Sequence, residues 1–272
     1  MRKTFKYRLY PTKLQTTKMN NILEQARWVY NETLALRKNA WESEKKSISL
    51  YASQKELTKW KTDKPELETV QAQVLQNAQV RVDLAFKAFF RRYKAGENPG
   101  YPRFKGQGWY KSITYPQSGF RLHPDGLYLS KIDRVKIILH RPIQGLIKTC
   151  TVKKTPTGKW FVYLSCETER PNLLPKTNKI VGIDLGLITY VQCSDGSKIN
   201  KPRFFNQEQK TLAQVQRRFS EEKIKRNKLV ITKIHERIKN KREDFCHKAS
   251  KKLIDKYDMI AHEDLNVKGM LE

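Results

Sequence analysis

The chain is short of acid, of cysteine and of uninterrupted apolar sequence, and each shortage closes off a class of function. Its four cysteines, Cys150, Cys166, Cys193 and Cys246, lie far apart without a C-x-x-C pair, so neither a disulfide framework nor a zinc ribbon is expected. They are read as reduced core thiols, with no zinc. Apolar runs such as Trp160 to Leu164 and Met259 to Ala261 are far too short to span a bilayer, and the N-terminus Met-Arg-Lys-Thr-Phe-Lys lacks the apolar core of a signal peptide. No membrane partner is expected, and a cytoplasmic location is. Asp and Glu number 27 against 55 Lys and Arg, a formal charge of +28 in 272 residues. That excess is costly in self-repulsion unless a polyanion neutralises it, and nucleic acid is the obvious one.

Periodicity divides the chain. Thr4 to Tyr10 alternates apolar and basic residues before Pro11, the pattern of a half-buried strand with one basic face. From Leu14 the spacing changes to three and four residues through Met19, Ile22, Leu23, Ala26, Tyr30 and Leu34, which predicts an amphipathic helix. A second helix is expected to open at Ser53, which has capping-box spacing to Glu56, and a third carries Val74, Leu75, Ala78, Val82, Phe86, Phe89 and Tyr93. Residues 13–95 thus form a helical insert after a first strand in 1–12. Gly96, Pro99, Gly100 and Pro102 mark a boundary, after which residues 96–172 read as strands turned at Pro124-Asp-Gly and Pro156-Thr-Gly, a small barrel or curled sheet that the N-terminal strand could join. A linker follows, then strand pairs, a basic helical region from Gln207 to about Tyr257 and a last strand from Met259. The class is α+β multidomain.

Two carboxylates stand out. Lys179-Ile-Val-Gly-Ile-Asp-Leu-Gly is an apolar strand holding one acid, Asp184, and Met259-Ile-Ala-His-Glu-Asp is another ending in Glu263. A buried-strand aspartate is expensive unless it is hydrogen-bonded, paired or bound to a cation, although an isolated D-x-G also serves as a strand-end cap. Strand alternation turns Glu263 and Asp264 to opposite faces, so one of them meets Asp184, and Glu263 is chosen. Paired carboxylates on neighbouring strand ends can hold magnesium for phosphodiester cleavage. The five histidines show no ligand spacing, and His262 reads as a strand residue rather than a base. Phe89, Phe90 and Tyr93 are read as core. Arg91, Arg92, Arg103 and Lys105 cluster beside the glycine and proline loop and are candidate phosphate contacts.

Four separated stretches make a more specific pattern: Tyr7-Arg-Leu-Tyr-Pro-Thr with Arg27-Trp-Val-Tyr-Asn; Ala85-Phe-Lys-Ala-Phe-Phe-Arg-Arg with Gly100-Tyr-Pro-Arg-Phe-Lys; Gly182-Ile-Asp-Leu-Gly-Leu; and Glu263-Asp-Leu-Asn-Val-Lys-Gly-Met. In this order they resemble the TnpB (OrfB-type) proteins of insertion sequences, which are RNA-guided endonucleases. The resemblance implies a wedge-type β-barrel interrupted by a helical recognition insert, then a RuvC domain of ribonuclease-H-like fold over residues 179–272. It also implies that Asp184 and Glu263 are the first two catalytic, magnesium-holding acids, and that guide RNA and DNA are the partners. In that fold Arg217 and Arg218, in the basic helical region, would border the nucleic-acid channel. The family's N-terminal region has been described as helix-turn-helix, which residues 14–45 fit loosely. Family members continue through two C-x-x-C pairs and a third acid, whereas here Met270 is followed by Leu271 and Glu272. A truncated RuvC domain with two of three carboxylates is therefore expected, with little or no cleavage; the alternatives are a non-catalytic regulator or a helix-turn-helix transposase accessory.

The charge generates a first prediction. Affinity for RNA or duplex DNA should fall by roughly 10³ or more between low and moderate salt, measured by titration; binding indifferent to salt would refute a phosphate-dominated interface.

Overall fold

The computed structural model describes residues 1–170, 174–186, 188–217 and 224–264. The chain divides into two compact units, Met1–Arg170 and Pro171–Glu272. In the first unit the period-2 alternation folds as strand β1 (Arg2–Tyr10), with Phe5, Tyr7 and Leu9 buried and Lys6 and Tyr10 exposed. Pro11 ends the strand because it has no amide hydrogen to give a ladder. Thr12 then caps α1 (Lys13–Glu44): its hydroxyl accepts from the Gln15 amide, and the Gln15 side chain accepts from the Thr12 amide. Met19, Ile22, Ala26, Val29, Tyr30 and Leu34 make the buried stripe of this 32-residue helix. It stops at Lys45, whose φ of 54° is left-handed.

The second helix starts earlier than its sequence suggested. Helix α2 (Leu50–Asp63) is capped by Ser49, which accepts from the Ala52 amide, while Ser53 lies buried inside the first turn and donates to the Ser49 and Leu50 carbonyls. Two serines four apart offer competing caps, and the upstream one wins because the extra turn adds backbone bonds while Ser53 satisfies its own hydroxyl internally. Glu56 consequently pairs with Lys59 rather than closing a capping box. A 3-10 turn (Pro65–Thr69) leads into α3 (Ala72–Lys94), whose buried residues run from Val74 only as far as Val82.

Six more strands follow: β2 (Ser112–Tyr115), β3 (Phe120–His123), β4 (Gly126–Leu129), β5 (Asp133–Ile138), β6 (Leu146–Lys154) and β7 (Trp160–Glu167). With β1 they form a seven-stranded sheet in the order β2-β6-β7-β1-β5-β4-β3, antiparallel throughout. The N-terminal strand therefore joins the sheet, and it does so at the centre. The outermost strands, β2 and β3, are consecutive in the chain, so residues 116–119 alone join them, a reach of at most about 17 Å. The sheet must curl on itself, and it makes a nearly closed barrel. Tyr115 helps span the gap, its hydroxyl donating to the Ser130 carbonyl at 3.1 Å. Helices α1 and α3 contribute to the same hydrophobic core as the strands. Arg81 fastens α3 to β2 by bonds to Ser112 and Thr114, and Gln15 fastens α1 to the Arg134 carbonyl.

The second unit is a four-stranded sheet ordered β10-β9-β8-β11, from β8 (Ile180–Asp184), β9 (Thr189–Cys193), β10 (Lys198–Asn200) and β11 (Met259–His262). The first two pairings are antiparallel and β8 with β11 is parallel. A parallel pair needs a long crossover, which α4 (Phe204–Arg217) and α5 (Ile224–Lys256) supply. Cys150, Cys166 and Cys193 are buried, and burial pushes the Cys150 and Cys166 thiols up in pKa. Cys246 departs from the expected core position: it is exposed on α5, with its sulfur 3.6 Å from the Tyr190 hydroxyl. Among the described residues no helix is long and apolar enough to cross a membrane.

Leu75 is fully buried in the core that helices and barrel share. Leu75→Ala is expected to cost about 2–5 kcal/mol and to lower helical and aromatic circular-dichroism signals of the first unit in one transition. Two separate transitions would show that insert and barrel have independent cores.

Candidate two-carboxylate cleft and nucleic-acid surfaces

The two acid-tipped strands are direct neighbours. Ile180 to Ile183 of β8 lie in register with Met259 to His262 of β11, so Asp184 and Glu263 are the next residues on two parallel strands. Both line one open cleft of about 440 Å³, together with Gly182, Ser194 and His262; Asp264 does not line it. Neither carboxylate forms a hydrogen bond or ion pair with a described residue. In a chain with twice as many cations as acids, two adjacent carboxylates left unpaired are a place where a cation would be welcome. Their oxygen donors suit a hard ion such as magnesium, and among the described residues no group of three or more His, Cys, Asp or Glu gathers there or elsewhere. His262 turns its Nδ1 to the Glu263 carbonyl at 2.9 Å.

The glycines around Asp184 have different reasons. At Gly186 an added Cβ would sit 2.9 Å from the Thr189 carbonyl oxygen, so the missing side chain lets the backbone after β8 pass close to the start of β9. At Gly182 a Cβ would only touch Ser194, at 3.8 Å, so its lack of a side chain leaves the cleft floor open. Ser194 braces that floor by accepting from the Gly182 amide and donating its own amide to the Gly182 carbonyl.

Two further carboxylates hold the strands in place and were not singled out in the sequence. Asp258, just before β11, accepts from the Thr177 and Asn178 amides and the Thr177 hydroxyl at 2.7–3.0 Å, and its own amide donates to Lys179. Hydrogen bonds from the Thr177 backbone, then from Asn178 and the Thr177 hydroxyl, keep its carboxyl below the usual range. Asp195, in the β9–β10 turn, accepts from Lys256, Ser197 and Tyr257, and the Lys256 ammonium above all holds it far below the usual range. The end of α5 is thereby tied to the hairpin that carries the cleft.

The basic candidates fall into three groups. Arg91 and Arg103 are exposed, and their guanidinium groups have no partner among the described residues, as is true of Arg217 at the end of α4. Arg92 and Lys105 are engaged within the protein. Arg92 folds back onto the Ala88 carbonyl at 3.3 Å, and the Lys105 ammonium lies 5.6 Å from the Tyr30 ring centroid. The Lys105 backbone is gripped by Arg27 and Asn31, its carbonyl accepting from both and its amide donating to Asn31 at 2.8 Å. Arg218 lies outside the described residues, as do residues 265–272.

Core packing fails for two of the aromatics assigned to it. Phe90 is 53% and Tyr93 68% exposed, because α3 runs on past the end of its packing partners. Phe86, Phe89, Phe90 and Tyr101 instead line an open groove of about 410 Å³ with Trp41.

Comparison with known proteins decides the family. A profile described as "Probable transposase" (OrfB of the IS605 type) matches residues 163–272, and one described as "Helix-turn-helix domain" of the same group matches residues 1–46. The chain is 32% identical to a "Putative RNA-guided DNA endonuclease" of Streptomyces pristinaespiralis over all of its own length and 69% of that protein's. It is 30% identical to InsQ of Escherichia coli K12, which bears the same description, over 98% of this chain and 67% of that one. The chain belongs to the TnpB (OrfB) family. Among solved structures this TnpB-family chain is similar to a Cas12f1 in complex with sgRNA and target DNA, at 17% identity and a TM-score of 0.39, over 99% of this chain and 74% of that one. The residues matched to the helix-turn-helix profile fold here as one strand and one continuous helix.

Because the Asp258 and Asp195 carboxyls are depressed in the folded state, the stability they add is present above their unfolded values of about 4 and is lost as pH falls through the folded ones. Amide exchange of β8 and β11 in the full chain should therefore accelerate, relative to the intrinsic rate, as pH drops from about 5 to about 3. Asp258→Asn should raise that exchange already at neutral pH and flatten its acid dependence; an unchanged profile would mean the clamp is not what seats β11.

Proposed function

We propose that this chain is a guide-RNA- and DNA-binding protein of the RNA-guided DNA endonuclease type, with residues 179–272 forming a RuvC-type domain and Asp184 and Glu263 holding magnesium. The observation that carries the proposal is the pair of unpartnered carboxylates on adjacent parallel strand ends, lining one cleft in a protein of charge +28. The names of its relatives supply the class of reaction. When bound, magnesium would stabilise the attacking and leaving oxygens of a phosphodiester displacement. The protein's own part is to place two carboxylates side by side on adjacent strands, to keep the floor open at Gly182 with Ser194 bracing it, and to line the cleft with His262. Exposed cations such as Arg91, Arg103 and Arg217 would contact phosphates, positioning the nucleic acid without reading its sequence, which is left to base pairing with the guide.

With two carboxylates, and no third ligand grouped with them among the described residues, a polypeptide of residues 1–272 is proposed to bind nucleic acid while cutting it slowly or not at all. Guide RNA retained through purification is the expected sign of function. Asp184→Ala should leave RNA and DNA affinity within about two-fold while weakening magnesium binding at least about ten-fold, followed by calorimetry. Purification free of RNA, with no affinity for added RNA, would remove the RNA-guided reading. Magnesium-dependent cutting abolished by Asp184→Ala would show that two carboxylates suffice.

A further inference from the structure

The outward face of the first unit's sheet has a composition that its core does not explain. Register places side chains of four adjacent strands side by side: Lys153 of β6, Phe161 and Tyr163 of β7, Lys6 and Arg8 of β1, and Lys136 of β5. Lys6 sits opposite Tyr163, Arg8 opposite Phe161, and Lys153 opposite Phe161 on the other side. Phe161 and Tyr163 are half-exposed and take no part in the hydrophobic core, while Val162 between them is fully buried within it. Two rings at alternate positions of one strand stand about 7 Å apart on the same face.

Those rings are covered by cations rather than by apolar neighbours. The Lys6 ammonium lies 4.8 Å from the Phe161 centroid and 6.0 Å from that of Tyr163, and the Arg8 guanidinium lies 5.0 Å from Phe161 and 5.3 Å from Tyr10. No carboxylate stands among these positions. The acids that border the face are paired: Glu167, further along β7, with Lys148 at 3.0 Å, and Asp125 with Arg134 of β5 at 2.6 Å. Flat rings interleaved with cations on an open sheet suit a ligand that carries both π-faces and regular negative charge, which is a single nucleic-acid strand. The hydroxyls of Thr4 and Ser165, opposite each other in register, and of Tyr163 have no partner among the described residues and can bond a ribose 2′-hydroxyl.

We propose that this β6-β7-β1-β5 face binds an unpaired segment of RNA, two consecutive bases stacking on Phe161 and Tyr163 while Lys6, Arg8, Lys136 and Lys153 neutralise the flanking phosphates. The proposal rests on the RNA-binding reading above and names the surface that performs it. Binding lets Lys6 and Arg8 swing from the rings to the phosphates, so each cation keeps an electrostatic partner in both states. A stacking ring and a phosphate cation leave different signatures, and that difference makes the site testable.

The experiment measures fluorescence anisotropy of a labelled ten-nucleotide oligouridylate with the full chain over a salt series, alongside oligothymidylate of equal length. Phe161→Leu and Tyr163→Leu keep an apolar side chain but remove the flat face, and each should weaken oligouridylate binding by roughly 5- to 100-fold with an unchanged salt slope. Lys6→Gln and Arg8→Gln should each reduce the slope of log affinity against log salt by about 0.7. Thermal midpoints within a few degrees of the parent establish that the variants fold; for any that do not, a 4-thiouridine crosslink mapped to the Trp160–Glu167 peptide of the parent chain decides instead. Parent-like affinity of both leucine variants, or crosslinks confined to other peptides, would overturn the site while leaving the RNA-binding reading intact. Equal affinity for oligothymidylate would overturn the choice of RNA. No binding of either oligomer by the parent chain at low salt would overturn both this site and the broader reading.

Discussion

The pairing of β1 with β7 is the constraint on which the first unit depends. Eight consecutive residues of β1, Arg2 to Leu9, are in register with β7, and on its other edge β1 holds β5. Without β1 the sheet falls into two pieces, β2-β6-β7 and β5-β4-β3, neither of which can curl round a core. One face of the strand puts Phe5, Tyr7 and Leu9 into the core and the other lays Lys6 and Arg8 beside Phe161 and Tyr163. The same nine residues therefore both close the barrel and charge its surface.

What was legible in the sequence was what depends on neighbours along the chain. The alternation of Thr4 to Tyr10, the three-and-four spacing of α1 and the acid tips of β8 and β11 each follow from local period, and each forms as read. That the two acid-tipped strands would be neighbours was also expected, whereas their parallel sense was not read from the sequence. The misread features depend on where a distant partner ends. Phe90 and Tyr93 continue the helical period of α3 but outrun the surface that would bury them, and Ser53 lost its cap to a serine one turn earlier. The grip of Arg27 and Asn31 on the Lys105 backbone joins residues more than 70 positions apart and has no local signature at all.

Carboxylates are scarce enough that their partners sort them by task. Asp83, Glu208 and Asp195 are each held by two or more side-chain donors and fasten one element to another. Asp258 does the same for the backbone ahead of β8. Asp184 and Glu263 make no such bond with a described residue, and they differ from other unpaired acids in standing together at the ends of two adjacent parallel strands that line one cleft.

The parallel pairing of β8 with β11 also sets an order of assembly. One carboxylate is near the start of the second unit and the other follows its helices, so a growing chain leaving the ribosome has its sheet unit, ending at Arg170, complete almost 90 residues before Met259 emerges. At about 5–20 residues per second this interval is roughly 5–20 s. For most of that time Asp184 has emerged but its counterpart has not. The barrel's charged face is thus available to partners while the acid pair does not yet exist.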